Sequence, residues 1–370
     1  MSATDTSAVN RALVRSGDEL RLQHTPVPCT CEPPTARRVL RVGVCGTDLQ
    51  MQRGARSDRA TILGHEGLAF NPDKRGCEIF NPVNPNDQDV ILGHSYDGIL
   101  RDYVPTGLPC GVVAAHEALP LDLGALVEPT ATALYAWDLM RVHLRPAGTV
   151  AVFGSGSAAL LVAMLGEDLG YRMQLVHPRR ERLRYIEQLG VLPASTLTNR
   201  IPPASVHGAL VCLPREATVT AIRAATASLV DKGMLDLFGG IPAGLRHPAL
   251  PGIDLSAVRR ANVCGRSSGY DSVQVFPTAG KRVWVTGHRG TSPAHLVRAQ
   301  QHLLAAPTRF GRLISHVISL EEAASRMPAM ARGERPFGEH VKVVVDLTMS
   351  ERARDADLST TVADHLEAVR

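Results

Sequence analysis

No apolar stretch in this chain approaches the length needed to cross a bilayer, and the polar start, Met1 to Val9, has no apolar core of the kind a secretory signal carries. These absences argue against a membrane role and set the expectation of a cytoplasmic location. Aromatic residues are scarce, 4% of the chain, and the formal net charge of +4 is spread along it without a basic run or interleaved aromatics. Nucleic acid is therefore not an expected partner, and the many arginines read as solvated surface. The seven cysteines, at 29, 31, 45, 77, 110, 212 and 264, are odd in number and scattered, the pattern of reduced thiols rather than a disulfide framework.

What is present suffices for two domains: 370 residues, 44% of them hydrophobic and 21% charged. The first part has short extended runs, Arg11 to Val14 and Val39 to Val42, punctuated by Pro26, Pro28, Pro33 and Pro34. That spacing predicts a β-rich domain with turns. The character changes near Pro146. Strand-like runs at Val150 to Phe153, Met173 to Val176, Ala209 to Leu213, Met234 to Phe238 and Arg282 to Thr286 then alternate with helical patterns at Leu160 to Leu169 and Arg182 to Leu189. Such alternation indicates parallel βαβ units. A less regular stretch runs from Gly239 to Gly280. Helices are expected at Ala294 to Leu304 and Leu320 to Met330, a closing strand at Val341 to Leu347, and a loosely held charged tail over 351–370.

Gly154-Ser155-Gly156-Ser157-Ala158-Ala159 follows a clean apolar strand and opens a helix, the context that makes a glycine pattern a credible dinucleotide loop. Gly154 is needed for a tight turn and Gly156 for backbone approach to a pyrophosphate, while a small residue at 159 lets helix and strand pack. About 20 residues further on, NAD-preferring proteins place an acid against the ribose hydroxyls. Here His177 stands in that place, followed by Arg179 and Arg180, whose guanidinium groups suit a 2′-phosphate. The expectation is NADP(H) in preference to NAD(H). The blander alternative is that two exposed arginines merely start the next helix.

Cys45-Gly46-Thr47-Asp48, Gly64-His65-Glu66 and Glu128-Pro129 together supply a thiolate, an imidazole and two carboxylates, the donor types of a zinc site. A catalytic zinc needs three protein ligands and one open position. With these motifs in this order, followed by the glycine loop and Lys342-Val-Val-Val, most of the chain resembles the zinc-containing branch of the medium-chain dehydrogenase/reductase superfamily, in pattern its polyol dehydrogenases.

The resemblance implies an α/β plus β fold: a GroES-like catalytic domain from 1–145 and 290–350, with a Rossmann dinucleotide-binding domain, 146–289, inserted. It implies one catalytic zinc on Cys45 and His65, with the third ligand open between Glu66, whose alternative catalytic role is to swing in during turnover, and Glu128, which would bind zinc directly or through the zinc water. Thr47 would exchange the substrate's hydroxyl proton and Asp48 would orient His65. A small polar substrate, such as a sugar, polyol or cyclitol, and a homo-oligomer, dimer or tetramer, are implied as well.

Two departures from that pattern stand out. Between Glu66 and Tyr103 only Cys77 is available, so a second, structural zinc on four cysteines is not expected. Five residues past Cys45, where the classical relay ends on histidine, this chain has Gln50. Two rival readings remain: a zinc-free enone or quinone reductase, and a catalytically silent nicotinamide-binding protein with a regulatory role. His94 is expected to be a hydrogen-bonded loop histidine, with a place in the substrate cleft as the alternative.

Overall fold

The computed structural model describes residues 9–27, 36–267, 272–276 and 280–349. The charged tail over 351–370, Cys29, Cys31 and the prolines at 28, 33 and 34 lie outside these described residues.

Two seven-stranded sheets organise the chain. In the dinucleotide half, strands Thr149–Phe153, Arg172–Val176, Val206–Val211, Leu229–Asp236 and Val283–Thr286 run parallel, with short Leu197–Thr198 at one edge and antiparallel Val273–Val275 at the other. The central strands are almost uninterrupted apolar runs because helices cover both faces of a parallel sheet. Val150, Ala151, Val152, Leu210 and Leu235 are fully buried. Helix Arg180–Leu189 is amphipathic, buries Arg182 and Ile186, and stops where Gly190 takes a left-handed conformation. The predicted elements of this half are present with ends shifted by a few residues, except that Leu229–Asp236 begins five residues early. Helix Arg215–Ser228 was not predicted.

The other sheet joins both ends of the chain, as the resemblance implied. Ile314–Ser319 pairs with Lys342–Asp346, which lies antiparallel to Ala36–Gly43, followed by Glu66–Asn71, Gly76–Asn81 and Gly111–Ala114. Tyr103–Pro105 branches onto Ala36–Gly43. Its strands are tied by charge as well as by ladder bonds: Arg41 reaches Asp346 at 2.6 Å and Arg37 reaches Glu78 at 2.5 Å, all four buried.

Helix Leu121–Met140, also unpredicted, lies between the sheets. Leu123, Leu126 and Trp137 share one core with Leu68 and Ile79 of one sheet and Val150 and Val152 of the other. The Trp137 indole nitrogen donates to the carbonyl of Val162 at 2.9 Å. This continuous core brings the two walls of a cleft of about 910 Å³ face to face.

Candidate active site

Local chain chemistry explains why Cys45 and Asp48 travel together. Cys45 is the N-cap of the short helix Gly46–Gln52, and its sulfur accepts from the Thr47 amide at 3.5 Å. Asp48, three residues on, accepts from the Cys45 amide at 2.9 Å, closing a capping box. The other oxygen of Asp48 accepts from the Gly64 amide at 3.1 Å and lies 3.5 Å from His65 Nδ1. One fully buried carboxylate therefore fixes the helix start against the Gly64-His65-Glu66 segment. Gly64 has φ +89, a conformation other residues rarely adopt, and it turns the chain so that His65 and Glu66 follow in adjacent positions.

The result is a convergence of donors: Cys45 Sγ, a ring nitrogen of His65 and a carboxylate oxygen of Glu66 all lie within 4.8 Å of one another. Burial and the charge of Glu66 push the Cys45 thiol up, whereas Asp48 outweighs burial and raises His65. Both shifts are ones that a dication reverses, so the donor set fits a metal. Glu66 is also ion-paired with Lys342, whose amine donates to the Val44 carbonyl at 3.2 Å. Lys342 is 1% exposed; burial opposes its charge, but Glu66 outweighs burial and raises its amine above the ordinary range. Sequence reasoning named it only as the start of the closing-strand motif and gave it no role in the site; the signal was a lone lysine opening a buried valine strand.

Glu128 is placed in the same cleft by helix Leu121–Met140. The Thr132 hydroxyl donates to its carbonyl and to its Oε1, at 3.0 and 3.1 Å. Burial, reinforced by Glu66, pushes its carboxyl up to about 7. It lies outside the three-donor group. Thr47 and Gln50 line the cleft beside the group, and so does His94, whose ring is 4.9 Å from that of His65.

On the facing wall, Gly154 has φ +135, and a Cβ there would stand 2.3 Å from the Cys212 carbonyl oxygen and 3.4 Å from Ala159 Cβ. The turn glycine is thus also demanded by close approach of the neighbouring strand end, and small Ala159 fits beneath it. A Cβ on Gly156 meets nothing within 4 Å, so this glycine faces open cleft. Ser157 and Ala158 line the cleft as well, at the start of helix Ser157–Asp168.

Of the residues expected near a 2′-phosphate, His177 and Arg179 line the cleft; Arg180 is exposed at the helix start and does not. Arg182, missed from the sequence, lines it instead. It donates to the carbonyl and hydroxyl of Ser155 at 2.6 and 3.2 Å, and pairs with Glu339 at 2.9 Å. Arg179 and Arg335 also pair with Glu339, at 2.8 and 2.7 Å. Three guanidinium groups thus surround one carboxylate next to the glycine loop.

No protein-family model matches the chain. It is similar to a sorbitol dehydrogenase of Bacillus subtilis, 23% identical over 199 residues, a match spanning 46% of this chain and about half, 56%, of that relative. Among solved structures it is similar to a candidate zinc-binding dehydrogenase from Sinorhizobium meliloti bound to NADP, with a TM-score of 0.69 and 19% identity over 92% of this chain and 99% of the other. An alcohol dehydrogenase from Thermotoga maritima gives 0.68 and 16% over 91% and 99%. The chain has the fold of the medium-chain dehydrogenases, a GroES-like domain joined to a Rossmann domain. No helix of the described residues is long and apolar enough to cross a membrane.

Proposed function

We propose that this protein is a zinc- and nicotinamide-dependent dehydrogenase acting on the secondary alcohol or ketone of a small polar molecule such as a sugar, polyol or cyclitol. A shared fold does not assign chemistry, so the reading rests on the site. The observation that carries it is the convergence of Cys45, His65 and Glu66 within 4.8 Å on one wall of a cleft whose other wall is the glycine loop. Cys45 and His65 would hold the metal with Glu66 or, in its place, Glu128. Arg179, Arg182 and the loop would hold the cofactor, NADP(H) in preference to NAD(H), because His177 stands at the end of strand Arg172–Val176 where an acid would favour NAD(H). When bound, zinc supplies a Lewis acid at the substrate oxygen and the nicotinamide takes or returns a hydride.

The residues of this chain do the rest. Asp48 keeps His65 Nδ1 facing inward, so that Nε2 is the nitrogen presented to the cleft. Lys342 holds Glu66 in place and limits the negative charge there. The Thr47 hydroxyl takes the proton of the substrate hydroxyl during oxidation and returns it during reduction. The Gln50 amide is no base, so a proton relay that starts at Thr47 does not end on Gln50.

Metal analysis of protein purified without chelator tests the reading. About one zinc per chain is expected, retained by Thr47→Val and lost by Cys45→Ala. Full metal in Cys45→Ala, or two tightly held zincs, would sink it. Separate Glu66→Gln and Glu128→Gln variants identify the third ligand. NADPH is expected to bind more tightly than NADH, and equal affinities would defeat the cofactor assignment.

A further inference from the structure

Beyond the donor group the cleft is unusually rich in guanidinium groups. Arg56 follows the helix Gly46–Gln52, while Arg215, Arg259, Arg260 and Arg289 come from the dinucleotide half, where they cluster at the ends of strands Val206–Val211, Leu229–Asp236 and Val283–Thr286. Their carboxylate partners can be assigned one by one. Asp58 is taken by Arg56 at 2.7 Å. Asp89 is shared by Arg260 at 3.0 Å and Arg289 at 2.9 Å. Glu216 is taken by Arg53 at 3.2 Å.

Two cations are left over. Among the described residues neither Arg215 nor Arg259 forms an ion pair, and the Nε of each is shut off from solvent without a hydrogen-bond partner. Arg259 donates only to the Phe238 carbonyl, at 3.3 Å. The carboxylate of Asp236, behind it, accepts no hydrogen bond, and burial pushes its carboxyl up to about 7, although Arg259 opposes that shift. Neighbouring cations with no direct ion pair repel one another, and an arriving anion offsets that cost.

The cluster also adjoins the metal centre. Arg56 donates to His94 Nδ1 at 3.3 Å, and the His94 ring is 4.9 Å from that of His65. The same Nδ1 lies 3.6 Å from the Asp58 carboxylate, which Arg56 also holds. The run Arg56, His94, His65 leads from the cation cluster to the donor group in two contacts.

We infer that the substrate is an acidic polyol or sugar whose phosphate monoester is gripped by Arg215 and Arg259, with Arg56 and Arg289 beside them, while its carbinol faces Cys45, His65 and Glu66. This inference deepens the dehydrogenase reading and rests on it for the reaction. It does not rest on it for the anion subsite. A phosphate dianion matches the two unpaired guanidinium groups in charge, and a guanidinium fork suits it bidentately. The rival source of the anion is the cofactor's own diphosphate.

The test begins with protein saturated with NADP(H), to which inorganic phosphate is titrated with thermal unfolding and calorimetry as readouts. Phosphate is expected to bind, and Arg259→Gln and Arg215→Gln are each expected to weaken it by about ten- to a hundredfold, the worth of a charge-assisted hydrogen bond. Arg215→Gln, at a partly exposed position, guards against a folding failure of the other variant. Loss of phosphate binding upon saturation with NADP(H) would assign the cluster to the cofactor and overturn the proposal.

Galactitol and galactitol 1-phosphate are then compared as substrates of the zinc-loaded enzyme. A higher kcat/KM for the phosphate, lowered in both arginine variants while that for galactitol is not, is the expected result; equal values for the two in wild type would overturn it. If phosphate binding depends on Arg215 and Arg259 but wild type binds no zinc, the dehydrogenase reading fails and the anion subsite stands.

Discussion

The two sheets place charge in opposite ways. In the GroES-like sheet, buried charges are matched: Arg37 with Glu78, Arg41 with Asp346, Lys342 with Glu66. In the dinucleotide sheet the interior is mostly apolar, and the carboxylate of the one buried acid of its strands, Asp236, accepts no hydrogen bond among the described residues. The matched pairs join strands far apart in sequence, Arg41 and Asp346 being 305 residues apart. The difference teaches where each half gets its alignment. The parallel sheet is set by local βαβ succession, whereas the mixed sheet, assembled from both ends of the chain, uses buried ion pairs to fix which strands meet. A buried pair is weak support for stability as such, but breaking one leaves an uncompensated charge.

The largest expected effect separates chemistry from cofactor binding. Thr47→Val, on the GroES-like wall, should lower hydride transfer by ~10²–10⁴-fold in single-turnover measurements while metal and cofactor stay bound, and Thr47→Ser should recover most of the loss. Unchanged transfer in Thr47→Val would remove Thr47 from the proton path.

The next prediction pits the two sheets against each other through pH. The Glu78 carboxyl is held down at about 2: burial opposes its ionisation, but Lys74, Arg37 and Asn71 outweigh it. Its contribution, on the order of 2–3 kcal/mol, is present above its unfolded pKa near 4.5 and is lost as pH falls towards 2. Asp236 has the opposite sign. With its pKa raised to about 7, it costs nothing below about pH 4, and the cost grows as pH rises towards 7. Denaturant titrations should therefore show Glu78→Gln less stable than wild type at neutral pH but closer to it in acid. Asp236→Asn should be more stable than wild type at pH 8 and equal to it near pH 3.5. Parallel behaviour of the two variants would erase the contrast.

On the dinucleotide wall, Arg182→Ala should weaken NADPH binding by roughly 1.5–3 kcal/mol, about one charge-assisted contact. The smallest effect is expected from Arg180→Ala, whose side chain is exposed outside the cleft. Equal losses in the two variants would mean that the helix start moves when cofactor binds.

How much could be read beforehand depended on whether the signal was local. The strands and helices around Gly154 were legible because burial on both faces, and on one helix stripe, leaves periodic patterns. Helix Leu121–Met140 was not, because it is apolar nearly all round and carries Pro129, so it shows no stripe. Arg182 was overlooked beside Arg179 and Arg180 because helix phase, not proximity along the chain, decides which of three neighbouring arginines turns into the cleft.

The sequence by itself determined the pieces whose geometry is short-range. Cys45 and Asp48 are bound into one helix cap, Gly64 sets a turn, and Gly154 to Ala159 form a strand-to-helix loop. Tertiary structure alone decided which pieces meet. It placed Lys342 against Glu66, 276 residues away, and Glu339 against Arg179 and Arg182. Among the described residues it also left Arg215 and Arg259 without an ion pair in the cleft. The physical reason is that backbone capping and turn preferences act over a few residues, whereas the pairing of charges depends on which side chains the shared core between the sheets brings within reach.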